Sequence, residues 1–205
     1  LARYELYRMI QNVQGNIVEG GVYAGQGLMT WAQLSAIFEP IGGTFREIIG
    51  FDTFDGFPEV SEKDQPPTTS GRKDIRKNKQ GDFSKNSYDD LCKTINLFDM
   101  NRFLPQFDKV KLVRGDFLET ANTFLNDNPH FLISLLYLDF DIYGPTKHAL
   151  ELFLPRMPKG SVLAFDEINH PDYPGETLAL LESLDINKLE IKKFQYENVM
   201  SYIVL

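Results

Sequence analysis

Phe131–Asp139 reads FLISLLYLD and Ser161–Glu167 reads SVLAFDE. Each is a short, almost wholly apolar run that stops at an acid. A strand with one wet face alternates apolar and polar residues, whereas a continuous apolar run of this length marks a strand covered on both faces, as in a parallel sheet flanked by helices. Between the two runs, Thr146–Phe153 has helical spacing and Pro158-Lys159-Gly160 makes a turn. Strand, helix and strand in that order call for a right-handed crossover that brings the two acidic ends side by side.

Working outward, the same unit recurs. Asn16-Ile17-Val18-Glu19 reads as a buried strand, Gly20–Gly27 as a glycine-rich turn, and Leu28–Phe38 as a helix halted by Pro40 and Gly42-Gly43. Glu47–Asp52 is a second strand ending in an acid. Val110–Val113 is a third, followed by a helix from Asp116 to Phe124. Helices are also predicted over the first ten residues, Tyr88–Leu97 and Glu176–Leu184. The closing runs Leu189–Phe194 and Met200–Leu205 have no helix between them and are expected to pair antiparallel. The expected fold is therefore α/β: a Rossmann-like, doubly wound, mostly parallel seven-stranded sheet with an antiparallel C-terminal strand, in a single domain over 1–205. From about 60 to 87 neither period is present, and Pro66-Pro67, Gly71 and Gly81 break the chain into a lid or insertion.

Composition narrows the function. Of 205 residues 42% are hydrophobic, enough for a sizeable core, and a net charge of −8 argues against a phosphate-backbone clamp and so against nucleic acid. One cysteine, Cys92, cannot form an internal disulfide, and no apolar run approaches a membrane span, so a cytoplasmic location without a membrane partner is expected. LARYELYRMI lacks a signal-peptide pattern, and the chain begins without methionine, which leaves room for residues upstream. A homo-oligomer is compatible with these observations.

In an open α/β sheet, ligands bind beyond the carboxyl ends of the strands. Here those ends carry Glu19, Asp52, Asp116, Asp139 and Asp166-Glu167. Carboxylates gathered in one crevice repel one another unless a metal ion, an ammonium group or a ribose diol offsets their charge. Asp139, Asp166 and Glu167 together offer hard oxygen ligands suited to Mg²⁺, Mn²⁺ or Ca²⁺. The bland reading of Asp166-Glu167 is a helix cap with loop charge. Zinc is disfavoured, because His130, His148 and His170 form no ligand-spaced pair. Asp139 is the first catalytic candidate, as a ligand of a metal that both orients the acceptor and favours its alkoxide; Asp141 and His170 are runner-up bases, each with a structural alternative as a cap or loop tie. Tyr143 and Tyr173 would line an acceptor pocket or simply pack. The lid's basic residues, Lys63, Arg72, Lys73, Arg76, Lys77, Lys79 and Lys85, outnumber its acids, which suits either a solvated insertion or a cover for an anionic substrate.

The turn Val18-Glu19-Gly20-Gly21-Val22-Tyr23-Ala24-Gly25-Gln26-Gly27 does not match the dinucleotide pattern, because Tyr23 stands where a second glycine is preferred, and this counts against NAD. It resembles the first motif of class I methyltransferases of the catechol O-methyltransferase type. The resemblance implies that Glu19, Gly21, Tyr23 and Gly25 approach the methionine part of S-adenosyl-L-methionine. GFDTFDGFPE at 50–59, LDFDIYGPT at 138–146 and FDE at 165–167 are similar to the macrocin O-methyltransferase family, over about Val18 to Leu181. That similarity implies Asp52 at the cofactor ribose, Gly115, Asp116 and Phe117 beside adenine, and Asp139, Asp166 and Glu167 as ligands of Mg²⁺ or another hard divalent cation. Glu167 departs from the aspartate more usual there. The implied activity is metal-dependent O-methylation of a sugar, nucleotide-sugar or glycoside natural product. The alternatives on the same scaffold are a hydroxylase-like metal enzyme and a non-catalytic cofactor-binding subunit.

Overall fold

The computed structural model describes residues 1–41, 45–67, 77–197 and 199–205. The basic residues Arg72, Lys73 and Arg76 of the lid lie outside them. In chain order the main elements are α1 (Ala2–Ile10), β1 (Asn16–Gly20), α2 (Gln26–Phe38), β2 (Ile48–Asp52), α3 (Tyr88–Asn101), β3 (Val110–Arg114) and α4 (Phe117–Asp127). They continue with β4 (Ile133–Leu138), α5 (Tyr143–Phe153), β5 (Val162–Phe165), α6 (Pro174–Ser183), β6 (Lys192–Lys193) and β7 (Ser201–Val204).

The strands form one seven-stranded sheet in the order β3-β2-β1-β4-β5-β7-β6. β1 to β5 run parallel, and β7 lies antiparallel between β5 and β6. Alternate residues feed two cores. Ile17, Ile48, Leu135, Tyr137 and Val162 pack under α1, α2 and α3; Val18, Phe51, Leu136, Leu138 and Phe165 pack under α4, α5 and α6. With helices on both faces, every residue of β4 is buried, which is why its sequence shows no alternation. Among the described residues, no helix is long and apolar enough to cross a membrane.

The sheet order reverses between β1 and β4, and the chain leaves these strands on opposite sides. That divergence opens a crevice at their carboxyl ends. One expectation needs adjustment. The strand read over Leu189–Phe194 contracts to Lys192–Lys193, because Asp185 caps a 3₁₀ turn at Ile186–Lys188 and pairing begins only after it. The described part of the lid is tied to the sheet domain at Asp64 and Asn78. A 3₁₀ turn at Glu62–Asp64 buries Asp64, whose carboxylate accepts from Ser61 N (2.7 Å), Ser61 Oγ (2.7 Å) and Tyr143 N (2.5 Å), the last at the start of α5. Asn78 donates to the carbonyls of Asp64 and Asp172 at 2.7 and 3.0 Å, tying the returning arm down.

Candidate active site

The crevice holds a cavity of about 450 Å³, within the range of small-molecule sites. Its floor is the ring of strand ends. Gly21, Tyr23, Asp52, Gly115 and Phe117 line one side, and Asp139, Asp141, Asp166 and Glu167 the other. Phe57, Pro58, Phe83 and Tyr173 close the outer wall. The three aromatic rings pack tilted at 55°, with centroids 5.4 Å apart for Phe57–Phe83 and 5.9 Å for Phe83–Tyr173.

On the first side, the chain turns sharply out of β1. Gly21 has φ +84°, and a Cβ there would stand 1.9 Å from the carbonyl oxygen of Asp139, so only glycine fits. Asp52 secures the turn: Oδ2 accepts from the N–H groups of Val22 and Tyr23, both at 2.7 Å, and Oδ1 from Phe54 N at 2.6 Å. A carboxylate held this way is fixed in place, with lone pairs remaining for hydroxyl donors.

The second side is built differently. Leu138 and Phe165 are paired across β4 and β5, so Asp139 and Asp166 leave adjacent strands at the same level. Burial, then the charges of Asp166 and Asp141, push the Asp139 pKa well above the carboxylate range. Burial and Asp166 raise Asp141 to about 7, and burial, Asp141 and Asp166 raise Glu167 to about 8. Asp141 has φ +62°, a left-handed conformation that a short acidic side chain tolerates better than most. Glu167 Oε2 is buried with no hydrogen-bond partner. His170 Nδ1 is 3.5 Å from it, but that nitrogen accepts from Asp172 N at 3.3 Å and has no hydrogen to offer while it does so.

Not every predicted residue reaches the cavity. Glu19 is buried behind the glycine turn, accepting from Trp31 Nε1 at 2.5 Å and from the backbone N–H of Leu28, where it caps the start of α2; burial raises its pKa to about 7. Gly25 packs against Leu91, and Asp116 caps α4 through Leu118 N at 2.9 Å. His170 stacks on the outer side of Tyr173, with centroids 5.4 Å apart. None of these four lines the cavity. Of the described lid cations, Lys63 pairs with Glu182 at 2.7 Å and lies 4.0 Å above the Tyr143 ring, whereas Lys85 stands over Tyr23, 5.8 Å from its ring centre.

Sequence reasoning missed a support beneath the acids. Arg3 of α1 donates to the Tyr137 hydroxyl at 3.2 Å and lies 4.0 Å from Asp139, and the Tyr137 hydroxyl in turn donates to Asp166 Oδ1. An arginine in an amphipathic first helix gives no signal of this. Glu176 was missed too. It is fully buried, with its pKa raised well above the usual range by burial and by Asp141, while backbone N–H groups of Glu167 and Asp141 work the other way. The donor set on this side, hard oxygens with one buried and unbonded, fits a hard divalent cation. Among the described residues, no three acidic, histidine or cysteine side chains already converge at ligating distance, so such an ion would have to draw the carboxylates inward.

Comparison with known proteins places the fold and the family. The calicheamicin methyltransferase CalS11 superposes with a TM-score of 0.89 at 33% identity, covering 99% of this chain and 77% of that one. A second CalS11 structure, described as an apo TDP-rhamnose 3′-O-methyltransferase, gives 0.80 at 30% identity over 99% and 76%. The O-methyltransferase NovP shares the fold, with a TM-score of 0.71 at 19% identity over 99% and 78%. No match was found among curated protein sequences. The model of the macrocin O-methyltransferase family (TylF) matches residues 6–175, so the chain belongs to that family and is an S-adenosylmethionine-dependent O-methyltransferase.

Proposed function

We propose that this enzyme methylates a hydroxyl of a sugar, nucleotide sugar or glycoside natural product, and that Asp139, Asp166 and Glu167 hold a hard divalent cation, Mg²⁺ foremost, beside the cofactor. The observation that carries the reading is the joint presence of these three carboxylates and Asp141 in the wall that faces Asp52 and the glycine turn. CalS11, described as acting on TDP-rhamnose, supports a sugar acceptor.

In this reading, Gly21 and Tyr23 border the methionine part of the cofactor, Asp52 accepts from its ribose hydroxyls, and Gly115 and Phe117 flank the adenine. Glu19, Gly25 and Asp116 act behind that surface by shaping the turn and capping helices. S-adenosylmethionine supplies the methyl group, which passes from sulfonium sulfur to oxygen by in-line displacement. Asp139, Asp166 and Glu167 would hold the hard cation, which would supply Lewis acidity to the acceptor hydroxyl. Asp141, which lines the cavity beside Asp139, takes the proton released by the acceptor hydroxyl. His170 is the less favoured base, since it stands behind Tyr173. Phe57, Phe83 and Tyr173 exclude water and offer apolar faces to the acceptor.

Titration calorimetry with S-adenosylhomocysteine, followed by turnover assays with TDP-rhamnose and a panel of nucleotide deoxysugars and glycosides, tests the proposal. Cofactor binding and turnover that chelation abolishes and Mg²⁺ restores are expected. Full turnover in a chelator would remove the cation from the account, and activity confined to acceptors without a sugar would remove the acceptor class.

A further inference from the structure

Glu176 stands in the first turn of α6 and is fully buried, a position that carboxylates rarely occupy without partners. Its partners lie in two other loops. Oε1 accepts from the N–H groups of Phe140 at 3.1 Å and Asp141 at 3.2 Å, and Oε2 from the N–H of Glu167 at 3.1 Å. The first two belong to the turn after β4, which carries Asp139 and Asp141. The third belongs to the turn after β5, which carries Asp166 and Glu167. Strand pairing aligns the turns only as far as Leu138 and Phe165; beyond that level the Glu176 carboxylate bridges both. Because it bonds main-chain groups, it fixes the course of each turn and leaves the acidic side chains free to point into the cavity.

α6 is itself held against these turns. A Cβ on Gly175 would lie 2.4 Å from Asp64 Oδ1 and 2.5 Å from Tyr143 N, so the helix start sits as close to α5 and the lid as backbone allows. Asn169 N donates to Thr177 Oγ1 at 2.8 Å, fastening the turn after β5 to the same helix. The clamp therefore has a rigid base.

We infer that Glu176 is a positioning residue for methyl transfer: without lining the cavity, it sets the spacing between the Asp139–Asp141 turn and the Asp166–Glu167 turn. The inference builds on the proposed role of those acids, and its test separates the two. Glu176→Gln is nearly isosteric but replaces one acceptor oxygen with an amide that cannot accept, releasing one turn. Glu176→Asp keeps both oxygens on a shorter arm. Ser161→Ala, which removes a buried hydrogen bond to Ile133 O at the far end of the sheet, reports a loss of stability alone.

For each variant, the quantities to measure are Tm, Kd for S-adenosylhomocysteine, Kd for Mn²⁺ in its presence, and kcat with TDP-rhamnose. In Glu176→Gln the cofactor Kd should stay within about twofold, while Mn²⁺ binding and kcat each weaken by about 10- to 100-fold, the scale of lost outer-shell support and misplacement near 1 Å. Glu176→Asp should recover part of the loss, and it carries the test if Glu176→Gln does not fold. Wild-type Mn²⁺ binding and kcat in both variants would overturn the inference. So would cofactor affinity, Mn²⁺ affinity and kcat falling together in step with Tm, as expected of a general defect. If the wild type binds no Mn²⁺, the cation proposal fails, and the clamp is still judged by kcat against cofactor Kd.

Discussion

The two halves of the cavity rim both present acids at strand ends, yet they solve the problem of charge in different ways. At β2, Asp52 is held by three backbone N–H groups, with acceptor capacity to spare, and among the described residues no other acid is bonded to it. At β4 and β5, Asp139, Asp141, Asp166 and Glu167 crowd together, and three of them are pushed up in pKa by burial and by one another. A carboxylate fixed by amides is prepared for neutral hydroxyls, as on a ribose. Carboxylates that raise one another's pKa gain most from a cation, which reverses the sign of the local field.

The strongest way to break this comparison is to remove an acid from the crowded side. Asp139→Ala should lower kcat by about 10²- to 10³-fold, the scale of losing a key electrostatic group, while Kd for S-adenosylhomocysteine stays near wild type. Retained activity would place the cation elsewhere. The matching change on the other side is Asp52→Ala, which frees three N–H groups of the glycine turn and removes a hydroxyl acceptor. It should weaken S-adenosylhomocysteine binding by about tenfold, or about 1.4 kcal/mol, in calorimetry, and leave Mn²⁺ affinity in the cofactor-free protein unchanged.

A smaller effect concerns pH. Asp141 at about 7, Glu167 at about 8 and Glu19 at about 7 all lie above ordinary carboxylate values. The native state therefore binds more protons than the unfolded chain between about pH 4 and pH 8, and stability falls as pH rises through that window. In a chelator, Tm should be higher near pH 6 than near pH 8, and Mg²⁺ should raise Tm more at the alkaline end, where the acids are ionised. A Tm that climbs with pH in the chelator would contradict the crowding argument. The mildest change is Tyr173→Ala on the outer wall. It should raise the acceptor KM by about 10-fold or less, with Kd for S-adenosylhomocysteine unaltered, on the scale of one aromatic contact.

Much of the fold was legible because it rests on burial that the sequence must satisfy locally. The runs ending at Asp139 and Asp166 had to be strands covered on both faces, and their shared crossover had to place the acids together. Asp52 was legible for the same reason. Glu19 was misleading: it also ends a strand, but it turns inward to Trp31 and the start of α2, a direction fixed by tertiary packing rather than by spacing. Glu176 and Arg3 carry no local signal, since their partners are 9 to 36 and 134 residues away in the chain. Lys63, one of the lid's basic residues, pairs with Glu182 on α6 and lies over Tyr143 on α5, contacts that counting charges does not reveal.

Titration of Mn²⁺ into the S-adenosylhomocysteine complex, followed by the loss of the free-ion paramagnetic resonance signal, tests the cation site most directly. One saturable ion per chain, lost together in Asp139→Ala and Glu167→Gln, is the predicted result. An absence of saturable binding in the wild type, or equal binding in both variants, would contradict it.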